Sequence, residues 1–248
     1  MFDLGGRRAI VTGANTGIGQ AIALSLAAAG ADIAAVGRTP AEETVEKVRA
    51  LGRKAEIVSA DLSSIEPVQR VVDETIAKLG GLDILINNAG IIRRADSVDF
   101  TEEDWDAVID TNLKSTFFLA QAAGRHMLRQ GSGKIVNIAS LLSFQGGIRV
   151  PSYTASKSGV AGLTKLLANE WAAKGVNVNA IAPGYIATNN TAALQADETR
   201  NRQIQERIPA GRWGDASDIG GAAVFLASPA ANYIHGHVLA VDGGWLAR

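Results

Sequence analysis

The stretch that decides the fold runs from Arg8 to Ala29 and reads RAIVTGANTGIGQAIALSLAAA. It opens with an apolar run typical of a buried strand, and from Gln20 onward its apolar side chains have helical spacing. Glycines in the turn between them let the backbone approach a pyrophosphate, and the following helix offers free N–H groups. Glycine turns also occur where nothing binds, but a strand before and a helix after favour a dinucleotide site. The candidate residues are Gly13, Asn15, Thr16, Gly17, Ile18 and Gly19.

Short apolar runs recur along the rest of the chain, with segments of helical spacing between them. The predicted strands are Arg8–Val11, Asp32–Val36, Ala55–Ser59, Asp83–Ile86, Lys134–Ile138, Val176–Ile181 and His237–Val241. Alternating strands and helices predict the α/β class, with one Rossmann-type domain over residues 1–248. Its doubly wound parallel sheet has about seven strands and helices on both faces.

The segment 184–212 is the least regular and follows a strand. Because doubly wound folds bind ligands at the carboxyl ends of their strands, we expect a substrate lid there. An ordinary surface excursion is the alternative.

Composition excludes several classes of protein. The 248 residues hold 24 Lys and Arg, 25 Asp and Glu, and no Cys. Without cysteine there is no disulfide framework, thiolate metal site or thiol nucleophile, and we expect no metal site. The balanced charge argues against nucleic-acid and membrane partners. No long apolar stretch opens the chain, so we expect a soluble cytoplasmic protein.

Arg38 bears on the choice between NAD and NADP. About twenty residues beyond the glycine turn, NAD-binding proteins carry an acidic residue that holds the adenosine ribose. Arginine at this place suits the 2′-phosphate of NADP, although an exposed arginine at a strand end is the alternative. Thr16 supplies no second base for that phosphate, so both NAD and NADP remain open.

A candidate catalytic set follows the fifth predicted strand. Tyr153 and Lys157 are four residues apart and share a helix face, and Ser140 lies at the strand's carboxyl end. A phenol with a pKa near 10 becomes useful near neutral pH when a cation stabilises the phenolate. Ser140 could then donate a hydrogen bond to a carbonyl while Tyr153 transfers the proton. A surface helix pair is the alternative, and the position after a strand of a dinucleotide-type domain argues against it.

These motifs together resemble the classical short-chain dehydrogenases/reductases along nearly the whole chain. The matching residues are Thr12-Gly13-x-x-x-Gly17-x-Gly19, Asp61-Leu62, Asn87-Asn88-Ala89-Gly90, Asn112, Ser140, Tyr153-x-x-x-Lys157 and Pro183-Gly184. The resemblance implies a homotetramer and an NAD(P)-dependent enzyme in which Asn112 joins the catalytic set. It also implies further cofactor-binding residues: Asp61, Leu62, Asn88, Gly90, Lys157, Pro183, Gly184, Ile186 and Thr188. Outside this pattern, Asp61 would be a helix cap, Asn88 a turn residue and Asn112 a buried amide.

The segments that could face a substrate contain arginines and asparagines but few large aromatic residues. They favour a small anionic substrate that Arg149 or Arg93 would hold by its carboxylate, with Ser140 and Gln145 beside it. A surface arginine or an ion pair is the alternative for both. Residues 144–151, 185–191 and 241–248 resemble a branch of the family that interconverts a keto-deoxy sugar acid and its diketo form in uronate breakdown. The expected activity is therefore hydride transfer between NAD(P) and a small sugar acid. A 3-oxoacyl or general ketone reductase and a non-catalytic dinucleotide-binding regulator remain alternatives.

Overall fold

The computed structural model describes residues 1–248 and contains seven strands and nine α-helices. The strands are β1 Arg8–Thr12, β2 Asp32–Gly37, β3 Ala55–Ser59, β4 Ile84–Asn87, β5 Gly133–Ile138, β6 Val176–Pro183 and β7 Val238–Val241. The helices are α1 Gly17–Ala28, α2 Glu42–Ala50, α3 Val68–Leu79, α4 Glu102–Ile109, α5 Ser115–Gln130, α6 Pro151–Trp171, α7 Ala192–Ala196, α8 Glu198–Arg207 and α9 Ala216–Ala227. All seven predicted strands are present, with bounds shifted by one or two residues at some ends.

All seven strands pair in parallel in the order β3-β2-β1-β4-β5-β6-β7. The predicted doubly wound α/β fold is confirmed. The strand order reverses between β1 and β4, and such a switch point leaves a crevice at the carboxyl ends of the two strands. The glycine turn after β1 therefore opens into this crevice.

Helices cover both faces of the sheet because successive side chains of a strand point to opposite sides. In β1, Ala9 and Val11 belong to a buried cluster that also contains residues of α1, α2 and α9. Ile10, between them, belongs to a second cluster with residues of α3, α5 and α6. The two clusters hold the sheet between two helical layers.

The segment 184–212 is more regular than its sequence indicates. It begins with a bridge between Ile186 and Gly214, and it contains α7 and α8. Ile204 and Ile208 anchor α8 in a small buried cluster that includes Trp213 and Trp245. Its base is therefore packed, while its first turn, Asn189–Thr191, reaches the crevice.

No helix of the structure combines the length and the apolar character that a membrane span requires.

Candidate active site

A cavity of about 330 Å³ lies at the carboxyl ends of β1, β4 and β5. Many residues predicted from the sequence line it: Gly13, Asn15, Thr16, Gly17, Ile18, Gly19, Asn88, Gly90, Tyr153, Lys157 and Thr188. The other lining residues are Ala89, Ile91, Ile92, Arg94, Ile138, Asn189, Asn190 and Thr191. The glycine turn and the tyrosine–lysine pair therefore share one site.

The glycine turn is closely packed against Asn88 and Ala89, the two residues that follow β4. Gly13 has φ +64°, and a Cβ there would lie 2.9 Å from the Asn88 amide nitrogen. A Cβ on Gly19 would lie 2.1 Å from the Gly13 carbonyl oxygen, so only glycine fits. Asn88 Nδ2 donates to the carbonyls of Thr12 at 2.9 Å and Gly13 at 3.3 Å, which fixes the turn.

The amino end of α1 is open toward this cavity. Thr16 makes no capping hydrogen bond with its side chain, and the first turn of α1 holds no acidic residue. The first N–H groups of a helix and its dipole attract anions. The turn therefore fits the pyrophosphate of a dinucleotide.

Lys157 is buried beside Tyr153 on α6. Its Nζ lies 5.6 Å from the centre of the Tyr153 ring and donates to the Ile138 carbonyl at 2.6 Å. Burial lowers the pKa of Lys157 to about 8. The side chain is therefore close to its titration point at neutral to mildly alkaline pH.

Two polar groups act on the Tyr153 hydroxyl. Burial raises the pKa of Tyr153, while the nearby Ser140 hydroxyl and the positive charge of Arg94 lower it. Ser140 precedes the short helical turn Leu141–Ser143, and its hydroxyl accepts a hydrogen bond from the Leu142 N–H at 3.2 Å. The serine and tyrosine of the predicted catalytic set are thus adjacent, although Ser140 itself is not among the residues lining the cavity.

Asn112 supports the wall of the cavity from behind. It lies in the π-helical turn Asp110–Lys114 and is almost fully buried. Its amide exchanges two hydrogen bonds with the Ile91 backbone, at 2.8 and 2.9 Å, and its Nδ2 lies 3.4 Å from the Ser156 hydroxyl. Asn112 thus links the loop after β4 to the helix that carries Tyr153.

Sequence reasoning did not single out Arg94, which lines the cavity with Tyr153 and Lys157. Its guanidinium forms no ion pair and makes one long hydrogen bond, 3.4 Å to the Asn190 carbonyl on the opposite wall. The run Ile91-Ile92-Arg93-Arg94 lies in a loop, where no periodicity shows which of two adjacent arginines faces inward.

The structure does not bring the two arginines that were predicted to hold substrate into this cavity. Arg93 pairs with Asp104 at 3.1 Å, and Arg149 pairs with Asp96 at 3.0 Å. Arg149 also has φ +63°, the only positive value at a residue other than glycine. Gln145 lies outside the cavity and accepts a hydrogen bond from the Trp245 indole at 3.3 Å.

Several predicted cofactor residues lie around the cavity rather than in its wall. Arg38 and Asp61 follow β2 and β3, are exposed, and approach each other at 3.9 Å. A backbone hydrogen bond from Ser63 is the main cause that lowers the pKa of Asp61. The remaining members of the set lie in or next to the core: Leu62, Pro183, Gly184 and Ile186.

Comparisons with known proteins agree with this geometry. The family model described as enoyl-(acyl carrier protein) reductase matches residues 13–246. The 2-dehydro-3-deoxy-D-gluconate 5-dehydrogenase of Escherichia coli K12 is 58% identical over 248 residues, covering 100% of this chain and 98% of that protein.

Two solved structures are similar over the whole chain. One, from Agrobacterium tumefaciens with bound NADP, is provisionally named 2-deoxy-D-gluconate 3-dehydrogenase; it has a TM-score of 0.94 and 62% identity, covering 100% of this chain and 99% of that one. A gluconate 5-dehydrogenase from Burkholderia cenocepacia, in complex with NADP and tartrate, has a TM-score of 0.95 and 41% identity, covering 100% and 98%. Fold, site geometry and full-length identity together show that the chain belongs to the short-chain dehydrogenase/reductase family of NAD(P)-dependent oxidoreductases.

Proposed function

We propose that this enzyme interconverts a hydroxyl and a ketone on a small sugar acid, 2-dehydro-3-deoxy-D-gluconate and its 2,5-diketo form, with NADP as the preferred cofactor. The observation that carries the proposal is Arg94, a guanidinium without an ion pair in the same cavity as Tyr153 and Lys157. Such a cation suits a substrate that carries a carboxylate close to its reacting carbon. The names of the E. coli and A. tumefaciens relatives support the same substrate class.

The bound dinucleotide would supply or accept the hydride. The glycine turn and the amino end of α1 would hold its pyrophosphate, with Asn88, Gly90 and Thr188 along the cleft. Arg38 supports the preference for NADP because its one carboxylate neighbour, Asp61, is 3.9 Å away and both side chains are exposed. A weak exposed pair leaves the guanidinium available for a 2′-phosphate.

The chain's own residues would move the proton. In the reductive direction, Tyr153 Oη donates its proton to the ketone oxygen while Ser140 Oγ donates a hydrogen bond to the same oxygen. Burial alone raises the pKa of Tyr153, so the resulting phenolate needs a cation, and Lys157 Nζ and the Arg94 guanidinium both supply positive charge beside it. Asn112 acts through the backbone of Ile91 and through Ser156, as a positioning residue for the cleft.

The segment 184–212 would act as the substrate lid. Asn189, Asn190 and Thr191 line the cavity, and the hydrogen bond from Arg94 to the Asn190 carbonyl connects this segment to the loop after β4. A substrate carboxylate that binds Arg94 would therefore also fix the position of the lid. Ile204 and Ile208 would keep its base packed while the turn at Asn189 moves.

A kinetic matrix with purified enzyme tests the proposal. NADH and NADPH are each combined with a keto sugar acid, the neutral sugar ketone of the same length, and a 3-oxoacyl thioester. We expect the highest kcat/KM for NADPH with the sugar acid. Preference for the thioester would indicate the fatty-acid type of reductase instead. No turnover, together with tight dinucleotide binding, would indicate a regulator.

The proposal includes a homotetramer in the bacterial cytoplasm. Trp105 on α4 and Leu166 on α6 are large apolar side chains that remain 41% and 47% exposed in the single chain. α4 packs against α6, so both residues belong to one helical layer that a second subunit could cover. Light scattering on the purified protein, compared with a Trp105→Glu variant, tests this assembly.

A further inference from the structure

A second cavity, of about 350 Å³, lies at the opposite edge of the sheet, where β4, β5 and β6 begin. It shares no residue with the catalytic cavity. The side chains that matter there are Arg7, Asp83, Lys134, Asn177 and His235. Neither the catalytic step nor the dinucleotide site uses any of them.

Lys134 holds a half-buried positive charge in this cavity without a carboxylate partner. Its Nζ donates to Asn177 Oδ1 at 3.0 Å and to Asn232 Oδ1 at 2.8 Å, and both acceptors are neutral amides. An ammonium has three donors, so one is left for a further acceptor. Burial, and the neighbouring charge of Arg7, lower the pKa of Lys134 to about 8. Lys134 Nζ forms no ion pair, so its charge is not compensated by an anion.

The single carboxylate in the cavity wall does not supply that compensation. Asp83 Oδ2 accepts hydrogen bonds from Arg8 Nε at 2.7 Å and from the Arg8 N–H at 2.9 Å, and its Oδ1 is 3.4 Å from Arg7 Nη1. Asp83 is thus engaged by Arg7 and Arg8, and it forms no ion pair with Lys134. The cavity carries a surplus of positive charge.

His235 packs against the amide that holds Lys134. Its Nε2 lies 3.2 Å from Asn177 Nδ2, which also donates to the Ile234 carbonyl at 2.9 Å. His235 Nδ1 is buried and has no hydrogen-bond partner. The ring therefore supports the Asn177 side chain, whose Oδ1 accepts the hydrogen bond from Lys134 Nζ.

We propose that this cavity is a binding site for a small oxyanion, the phosphate or carboxylate group of a compact metabolite. The oxyanion would accept a hydrogen bond from the third donor of Lys134 and would lie beside the Arg7 guanidinium. It would balance the surplus charge with the acceptor atoms that the wall lacks. Because Lys134 belongs to β5 and Arg7 directly precedes β1, an occupied site would connect these parts of the sheet at the edge remote from catalysis.

Calorimetric titration with inorganic phosphate and with malonate, at ionic strength fixed with chloride, tests the site in solution. The protein is first saturated with NADPH so that the dinucleotide cleft is filled. We expect one anion per chain, with binding at least tenfold weaker in Lys134→Met. Lys54→Met, which removes an exposed lysine elsewhere, is the matched control and should bind as the wild type does. Tighter binding of phosphate or of malonate identifies the group that the site prefers, and either result supports the proposal. Equal binding by wild type and Lys134→Met overturns it.

Crystals of the wild-type protein soaked in selenate give a test that needs no variant. We expect an anomalous peak within hydrogen-bond distance of Lys134 Nζ. A peak only at the amino end of α1, or none, overturns the proposal even if Lys134→Met fails to fold.

Discussion

Replacing Arg94 by methionine separates recognition of the substrate carboxylate from the rest of catalysis. In the folded chain this guanidinium makes a single 3.4 Å hydrogen bond to the Asn190 carbonyl and no ion pair. Methionine keeps most of the aliphatic length, so we expect little loss of stability. The substitution should instead weaken the interaction with the substrate carboxylate, because a hydrogen bond to a charged partner contributes about 1.5–3 kcal/mol. That range corresponds to a roughly 10- to 150-fold loss of kcat/KM for a keto sugar acid.

The assay compares the keto sugar acid with the neutral sugar ketone of the same length. Arg94 also lowers the pKa of Tyr153, and losing that effect slows both substrates alike. The ratio of the two kcat/KM values therefore isolates the contact with the carboxylate. Arg93→Met is the matched control because the adjacent guanidinium is already paired with Asp104. Arg149→Ala, which breaks the pair with Asp96, directly tests the expectation drawn from the sequence.

We expect the ratio of kcat/KM for the keto sugar acid to kcat/KM for the neutral ketone to fall only in Arg94→Met. An unchanged ratio in that variant, or an equal collapse in Arg93→Met, would refute the assignment. A fall in this ratio confined to Arg149→Ala would indicate that Arg149 binds the substrate carboxylate, as the sequence predicts.

Three further substitutions test the catalytic and cofactor assignments. Tyr153→Phe should remove turnover and leave NADPH binding intact in a fluorescence titration, because only the proton donor is lost; activity above a few per cent of wild type would contradict its role. Arg38→Ala should weaken NADPH about tenfold or more and NADH little, since one charged hydrogen-bonding partner of the 2′-phosphate is removed; equal effects would show that Arg38 does not contact that phosphate. Burial lowers the pKa of Lys157 from 10.5 to about 8, so between these values the unfolded chain binds more protons and the free energy of unfolding rises with pH. Urea unfolding without dinucleotide at pH 8 and pH 10 should show a rise in wild type that Lys157→Met reduces by about 2 kcal/mol; an identical rise in both proteins would show that Lys157 does not cause it.

The local arrangement around the glycine turn could be predicted because each part depends on near neighbours in the chain. Apolar periodicity identified the strand before Gly13 and the helix after Gly19, and the spacing of Tyr153 and Lys157 placed them on one helix face. Regular alternation of strands and helices then favoured a parallel sheet, since each helix supplies the crossover that parallel pairing requires. These elements brought the predicted dinucleotide and catalytic residues to one edge.

Loops are where prediction from the sequence was incomplete. Arg93 and Arg94 are adjacent in an irregular segment, and only the folded backbone shows that one pairs with Asp104 and the other faces the cavity. Arg149 is engaged by Asp96, a residue far away in the sequence, and no local pattern reports such a pair.

The sequence by itself determined the fold class, and it predicted the glycine turn and the serine–tyrosine–lysine set, because periodicity and motif spacing encode short-range geometry. Only the tertiary structure decided which of the two adjacent arginines faces the cavity without a counter-ion, and only it showed that the half-buried Lys134 charge has two neutral amides as its partners. The physical reason is that burial and charge compensation depend on groups brought together from distant parts of the chain, and these distances exist only after the sheet has formed.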